Sequence, residues 1–283
     1  MFVRGAGETR FNKLVAGRAG RPVTIEDVTL QEADTPWIDL DGAVNARAVV
    51  PGVLLRSDNL QGLTARDIRV LVDECALEVV LDLRTDVEVV LEGPGPLTNE
   101  SRVRIEHHSL YPSHGNTDLD ADTIKPGTRP WGRDDHRAFP DEPAVVRSYL
   151  GYMLGRPDSV VAAVSEIARA DGAVLVHCAA GKDRTGTVVA LALDASGVPR
   201  ELIAEDYNAS RERIEQIIAR LRSSETYRAE LEGHDPQAHA PVPGTIERVL
   251  ELVDEQHGGA AEWLLAHGLD EADLERLRNR IQL

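Results

Sequence analysis

Residues 177–186 read HCAAGKDRTG, so that Cys178 follows His177 directly and precedes Arg184 by six positions. An ionised thiol is a strong nucleophile, and a guanidinium presents paired N–H groups that match two oxygens of a phosphate. Together they suit attack on the phosphorus of a phosphate monoester, whose equatorial oxygens must be gripped while the nucleophile enters opposite the leaving oxygen. Gly181 admits a backbone bend or close approach that a Cβ would hinder, while Ala179 and Ala180 leave their amides accessible and Lys182 adds charge. Thr185 is placed to donate its hydroxyl toward the thiolate, and His177 to orient the loop by hydrogen bonding and influence the cysteine.

Such a loop needs rigid elements on both sides. Residues 173–176 (AVLV) form a short apolar run that predicts a buried strand, and residues 185–195 (TGTVVALALDA) a buried helix ending at Gly197. The helix N-terminus would then aim its amides at the same anion and favour thiolate over thiol. Upstream, the spacing predicts a helix over 64–77 with Thr64 and Asp67 as a capping pair. A buried strand follows over 77–83, with Asp82 and Arg84 at its C-terminal end, where sites of α/β proteins usually form. Residues 45–56 predict a turn leading into a strand, and residues 144–154 and 159–170 two helices. The expected architecture is α/β: a central, mostly parallel sheet of four to five strands flanked by helices, in one domain over 1–283. Residues 94–143, rich in Pro, Gly, Asp and His, are expected as a lid or substrate loop, and 200–283 as a helical C-terminal part.

His177, Cys178, Gly181, Arg184 and Thr185 match the pattern HCxxGxxR[ST], and in this the chain resembles the protein tyrosine phosphatase superfamily. Lys182 and Asp183 within the loop, LDLRTDVEV at 81–89 and RSDNL at 56–60 resemble, more narrowly, its bacterial tyrosine and lipid phosphatases. The resemblance implies action on phosphotyrosine, on phosphoserine or phosphothreonine and on phosphoinositides, without metal or cofactor, beneath a mobile helical lid. Phosphorylated protein or phosphoinositide substrates are the partners it implies.

The leaving oxygen needs a proton, and two carboxyls compete to supply it. Asp183 lies in the loop and has a counterpart in the family; Asp82 ends its strand facing the same region. Each has a structural alternative: Asp183 as a helix cap, Asp82 as a buried ion-pair partner of Arg84. Asp134, Asp135 and Asp141 are further contenders, since Trp131 to Asp134 superficially resemble an acid loop that lacks its proline.

The formal net charge of −17 argues against binding to nucleic acid or anionic membrane, so an anionic substrate needs a local positive site. Two cysteines cannot build a disulfide framework, and Cys75 reads as core filler or as a resolving partner for an oxidised Cys178. His107, His108, His114 and His136 lack metal-ligand spacing. No signal peptide or membrane-spanning run is expected; the cytoplasm is the default location, with signal-peptide-independent secretion the rival. A phosphate-recognising adaptor without turnover, and a sulfur-transfer or arsenate-reducing site, are the competing readings of the loop.

Overall fold

The computed structural model describes residues 37–112 and 139–282. Five strands form one sheet in the order β1-β2-β5-β3-β4, with β1 Arg47–Val50, β2 Leu54–Ser57, β3 Leu77–Asp82, β4 Arg104–His107 and β5 Ala173–His177. β1 pairs antiparallel with β2 through the turn at 51–53; the remaining pairs are parallel. The mostly parallel α/β sheet is therefore as the sequence predicts.

The central strand shows why the run at 173–176 is apolar throughout. All of β5 is buried, and its side chains alternate between two cores. Val174 and Val176 join Leu54, Val79 and Leu81 in the larger core, whereas Ala173 and Leu175 meet Leu55 and Val80 in the smaller one. Register places Ser57, His177, Asp82 and His107 in one row across β2, β5, β3 and β4. The loop that follows His177 thus leaves the sheet between the ends of two neighbours.

Thr64 caps α1 (Ala65–Arg69), accepting from Asp67 N–H while Asp67 accepts from Thr64 N–H at 2.9 Å. The expected helix over 64–77 stops short, because α1 runs into a π-helical turn at Val70–Glu74 and Ala76 takes a left-handed conformation (φ 55°) before β3. Thr85 and Glu88 form a second capping box on α2 (Asp86–Glu92). α3 (Ala144–Gly155) and α4 (Pro157–Arg169) lead to β5, and α5 (Asp183–Ala195) leads away from the loop. α5 is apolar nearly all round because it is buried nearly all round, as an interior helix must be.

The remainder of the described chain is helical: α6 Arg200–Ala209, α7 Ile214–Ser223, α8 Glu225–Leu231, α9 Thr245–His257, α10 Ala260–Ala266 and α11 Glu271–Arg280. The segment 94–143, expected as a lid or substrate loop, begins differently: it contains a 3-10 turn at Pro96–Asn99 and then β4, an edge strand. Residues 113–138, with His114, Trp131, Asp134, Asp135 and His136, lie outside the described residues. Among the described residues no helix is long and apolar enough to cross a membrane.

Candidate active site

The loop after β5 is held by its carbonyls. Ala179 O accepts from Asn59 N–H at 3.0 Å, Ala180 O from Asn45 Nδ2 at 2.9 Å, and Gly181 O from Arg56 Nη2 at 2.7 Å. Lys182 O accepts from Gly186 N–H at 2.8 Å. With three successive carbonyls bound by neighbouring segments and the fourth opening α5, the peptide planes turn their N–H groups the other way. Among the described residues none of the N–H groups from Ala179 to Arg184 has a protein acceptor. Unsatisfied, convergent amides at a helix N-terminus form an anion cradle.

Gly181 is required at the tightest point. Its φ is +66°, and a Cβ there would lie 2.6 Å from Asp58 N and closer still to the carbonyl of Ser57. Both are backbone atoms of the segment after β2 and cannot turn aside. Arg56, which clamps the loop, is buried and paired with Asp206, which also accepts from Arg47 Nε at 2.8 Å. RSDNL therefore works as a brace: Arg56 and Asn59 bind loop carbonyls, and Asp58 accepts from Val44 and Asn45 N–H and from Arg220.

Cys178 lies at the floor of a cleft of about 500 Å³ that the loop shares with α3, α7 and α8. Ala179, Ala180, Lys182, Asp183 and Arg184 line the same floor. Tyr111, Tyr149 and Tyr152 form one wall, and Ile214, Ile218 and Leu221 contribute to another. The structure thus brings together the sequence-predicted residues from Cys178 to Arg184.

Arg184 is buried and is held by a residue that sequence reasoning missed. Glu88 accepts from Nη1 at 2.5 Å and from Nη2 at 3.0 Å, while Leu83 O lies 3.4 Å from Nη1. Burial opposes the charge on Arg184, but Glu88 and then Cys178 outweigh it and hold the guanidinium firmly protonated. Nε takes no protein acceptor, so the edge made by Nε and Nη2 can still receive two oxygens. Glu88 itself is fixed by Thr85 N–H at 2.7 Å and Tyr227 Oη at 3.2 Å. Its signal was present as T-x-x-E, which reads as a helix cap and says nothing of a partner 96 residues away.

Asp82 is placed otherwise than a proton donor requires. It binds Arg84 through Nε at 2.9 Å and Nη2 at 2.6 Å, and lies 3.6 Å from His177 Nε2. Burial pushes its pKa up, but His177 and Arg84 overcome this and hold the carboxyl well below the ordinary carboxylate range. It borders a separate small cavity with Leu60, Gln61 and Leu97, outside the Cys178 cleft. His177 is buried, burial lowers its pKa to about 4 against the pull of Asp82, and its Nδ1 lies 3.2 Å from Cys178 O.

Asp183 does project into the cleft. It is the first residue of α5 and makes no cap; Lys182 occupies the cap position without a side-chain bond. Instead Asp183 Oδ1 accepts from Tyr149 Oη at 2.5 Å, with Lys182 Nζ at 3.5 Å. Lys182 donates to His239 O. The Thr185 hydroxyl is buried with no hydrogen-bond partner, so the expected donation to Cys178 is not formed in this structure. Asp141 is exposed before α3 and outside the cleft.

Cys75 cannot resolve an oxidised Cys178. It precedes β3, whose start pairs with the start of β5, while Cys178 follows the end of β5. Five residues of strand span roughly 16 Å, and a disulfide needs Cα atoms within about 7 Å. His107 and His108 sit at the β4 edge, where His107 Nε2 contacts Arg84 O at 2.8 Å. Among the described residues no three His, Cys, Asp or Glu side chains group as metal ligands.

Residues 39–282 match the profile of the tyrosine phosphatase family. The chain is 26% identical over 284 residues to a triple specificity protein phosphatase, PtpB, of Mycobacterium tuberculosis, covering 89% of this chain and 98% of that protein. It is 28% identical over 249 residues to a tyrosine-protein phosphatase of Nostoc commune, covering 84% of this chain and 77% of that protein.

Proposed function

The chain belongs to the tyrosine phosphatase family and is a cysteine-based phosphatase, and from that premise we propose how its residues divide the work. The Cys178 thiolate attacks phosphorus; the S–P bond forms as the bond to the leaving oxygen breaks. Amides of Ala179 to Arg184 and the free edge of Arg184 hold the three equatorial oxygens. Asp183 gives its proton to the leaving phenolate or alkoxide. In the second half, water attacks the phosphocysteine, Asp183 takes its proton, and phosphate departs from the restored thiolate. Asp82 acts through Arg84 and His177 as a support beneath the loop, not as the acid, because its ion pairs leave it no proton to give near neutral pH.

One observation carries this reading: the carbonyls of residues 179–181 are bound outward while the amides remain free beside Cys178. The tyrosine wall and the aliphatic wall suit the flat ring of a phosphotyrosine. That the Mycobacterium tuberculosis relative is called triple specificity supports extending the substrates to phosphoserine, phosphothreonine and phosphoinositides. The partners in this reading are phosphorylated proteins or phosphoinositides.

Hydrolysis of an aryl phosphate tests the assignment. Cys178→Ser and Arg184→Ala should each lose nearly all turnover with an unchanged circular dichroism spectrum, and full activity in either would refute the mechanism. A panel of phosphopeptides and phosphoinositides ranks the substrate classes.

A further inference from the structure

We propose that Tyr149 is a positioning residue for the acid step, setting which oxygen of Asp183 carries the proton to the leaving group. This deepens the assignment of Asp183 as general acid and rests on it.

Tyr149 comes from the middle of α3, and its ring is buried between Tyr152 and Tyr207, at centroid distances of 6.0 Å and 6.1 Å. Its hydroxyl donates to Asp183 Oδ1 at 2.5 Å and lies 2.8 Å from the hydroxyl of Tyr207. A phenol has one proton. Because that of Tyr149 goes to Asp183, the bond between the two phenols must be donated by Tyr207. Thr245, at the start of α9, lies beside Tyr207. The hydroxyls therefore run one way, from Tyr207 through Tyr149 to Oδ1.

The direction has a chemical consequence. The carbonyl-type oxygen of a protonated carboxyl is its better acceptor, so a donor fixed on Oδ1 makes that atom the carbonyl and leaves the proton on Oδ2. Lys182 Nζ, at 3.5 Å, faces Oδ1 as well. His239, on the turn at Pro236–His239, is a titratable neighbour whose pKa burial and then Lys182 lower, and Glu88 holds the Nη1 and Nη2 end of the Arg184 guanidinium away from Asp183. Burial, with the charge of Asp183 added, pushes the Tyr149 phenol well above its ordinary pKa, which keeps it a donor across the working range.

The readout is dependence on the leaving group. Phenyl phosphate needs a proton on its departing oxygen, whereas a dinitrophenyl phosphate leaves as a stabilised anion without one. In Tyr149→Phe the ratio of kcat for dinitrophenyl phosphate to kcat for phenyl phosphate should rise by roughly tenfold or more. Asp183→Asn, measured in parallel, should raise it further, and Tyr207→Phe should raise it less. A purely structural loss in Tyr149→Phe would lower both rates by one factor and leave the ratio unchanged, which would overturn the inference while leaving Asp183 as the acid. An unchanged ratio in Asp183→Asn would overturn the acid assignment itself, and the role of Tyr149 with it.

Discussion

Glu88 binds both terminal nitrogens of Arg184 with one carboxylate, and with the same carboxylate receives the N–H of Thr85, the cap of its own helix. The position of α2 and the aim of the Arg184 guanidinium are thereby a single property. End-on pairing also explains how Arg184 is buried without losing its capacity for phosphate, since the edge at Nε remains uncommitted.

Glu88→Gln should keep the shape and lose the charge that orients Arg184. We expect kcat/KM on an aryl phosphate to fall by at least tenfold and vanadate to bind more weakly. Glu88→Ala leaves a guanidinium buried and unpaired, which costs about 3–5 kcal/mol. Urea midpoints measure the second effect, and a Glu88→Gln protein with unchanged vanadate affinity would contradict the first.

Gly181→Ala drives a methyl into the backbone at Ser57 and Asp58 in a left-handed conformation. The loop has to open to admit it, separating the amides from Cys178. Loss of activity by about a hundredfold or more is the expected outcome. Retention of near-parent kcat in Gly181→Ala would show that the tight loop is not needed.

Asp82→Asn separates support from proton donation. It removes the countercharge of buried Arg84 and should cost roughly 2–4 kcal/mol of stability. The ratio of dinitrophenyl to phenyl phosphate turnover should not follow the Asp183→Asn pattern. If Asp82→Asn selectively lost the poor leaving group, Asp82 would regain its claim as the acid.

Acid sensitivity should trace in part to His177. Its pKa falls from the ordinary 6.5 to about 4 on folding, so the unfolded chain binds the proton more tightly. The contribution is fully present above about pH 6.5 and is lost as pH falls toward 4, amounting to on the order of 2–3 kcal/mol. Asp82, depressed in its own right, adds a loss only below the ordinary carboxylate range, and so is distinct in pH. Denaturant midpoints at pH 7 and pH 5 measure the effect; His177→Asn should flatten the difference, and an equal drop in both proteins would assign it elsewhere.

The elements around the loop were legible because they are local. A run of apolar residues at 173–176 and a buried helix after it state their own periodicity, and Thr64 with Asp67 shows its cap in four residues. The helix predicted over 64–77 ended early because Ala76 takes a left-handed turn into β3, which apolar spacing does not encode. The lid expected over 94–143 missed β4, whose four residues are too short and too exposed to alternate visibly.

The sequence alone singled out the proposed nucleophile, the guanidinium and the glycine of the loop, since their spacing is a property of ten adjacent residues. Tertiary structure decided the partners of those residues: Glu88 on Arg184, Arg56 and Asn45 on the loop carbonyls, Tyr149 on Asp183. Each partner comes from 34 or more residues away, and no periodicity records which distant side chain a fold will bring near. It also separated two carboxyls that the chain left in competition. Placing β3 beside β5 put Asp82 against His177 and Arg84, away from the cleft, while the first turn of α5 carried Asp183 into it.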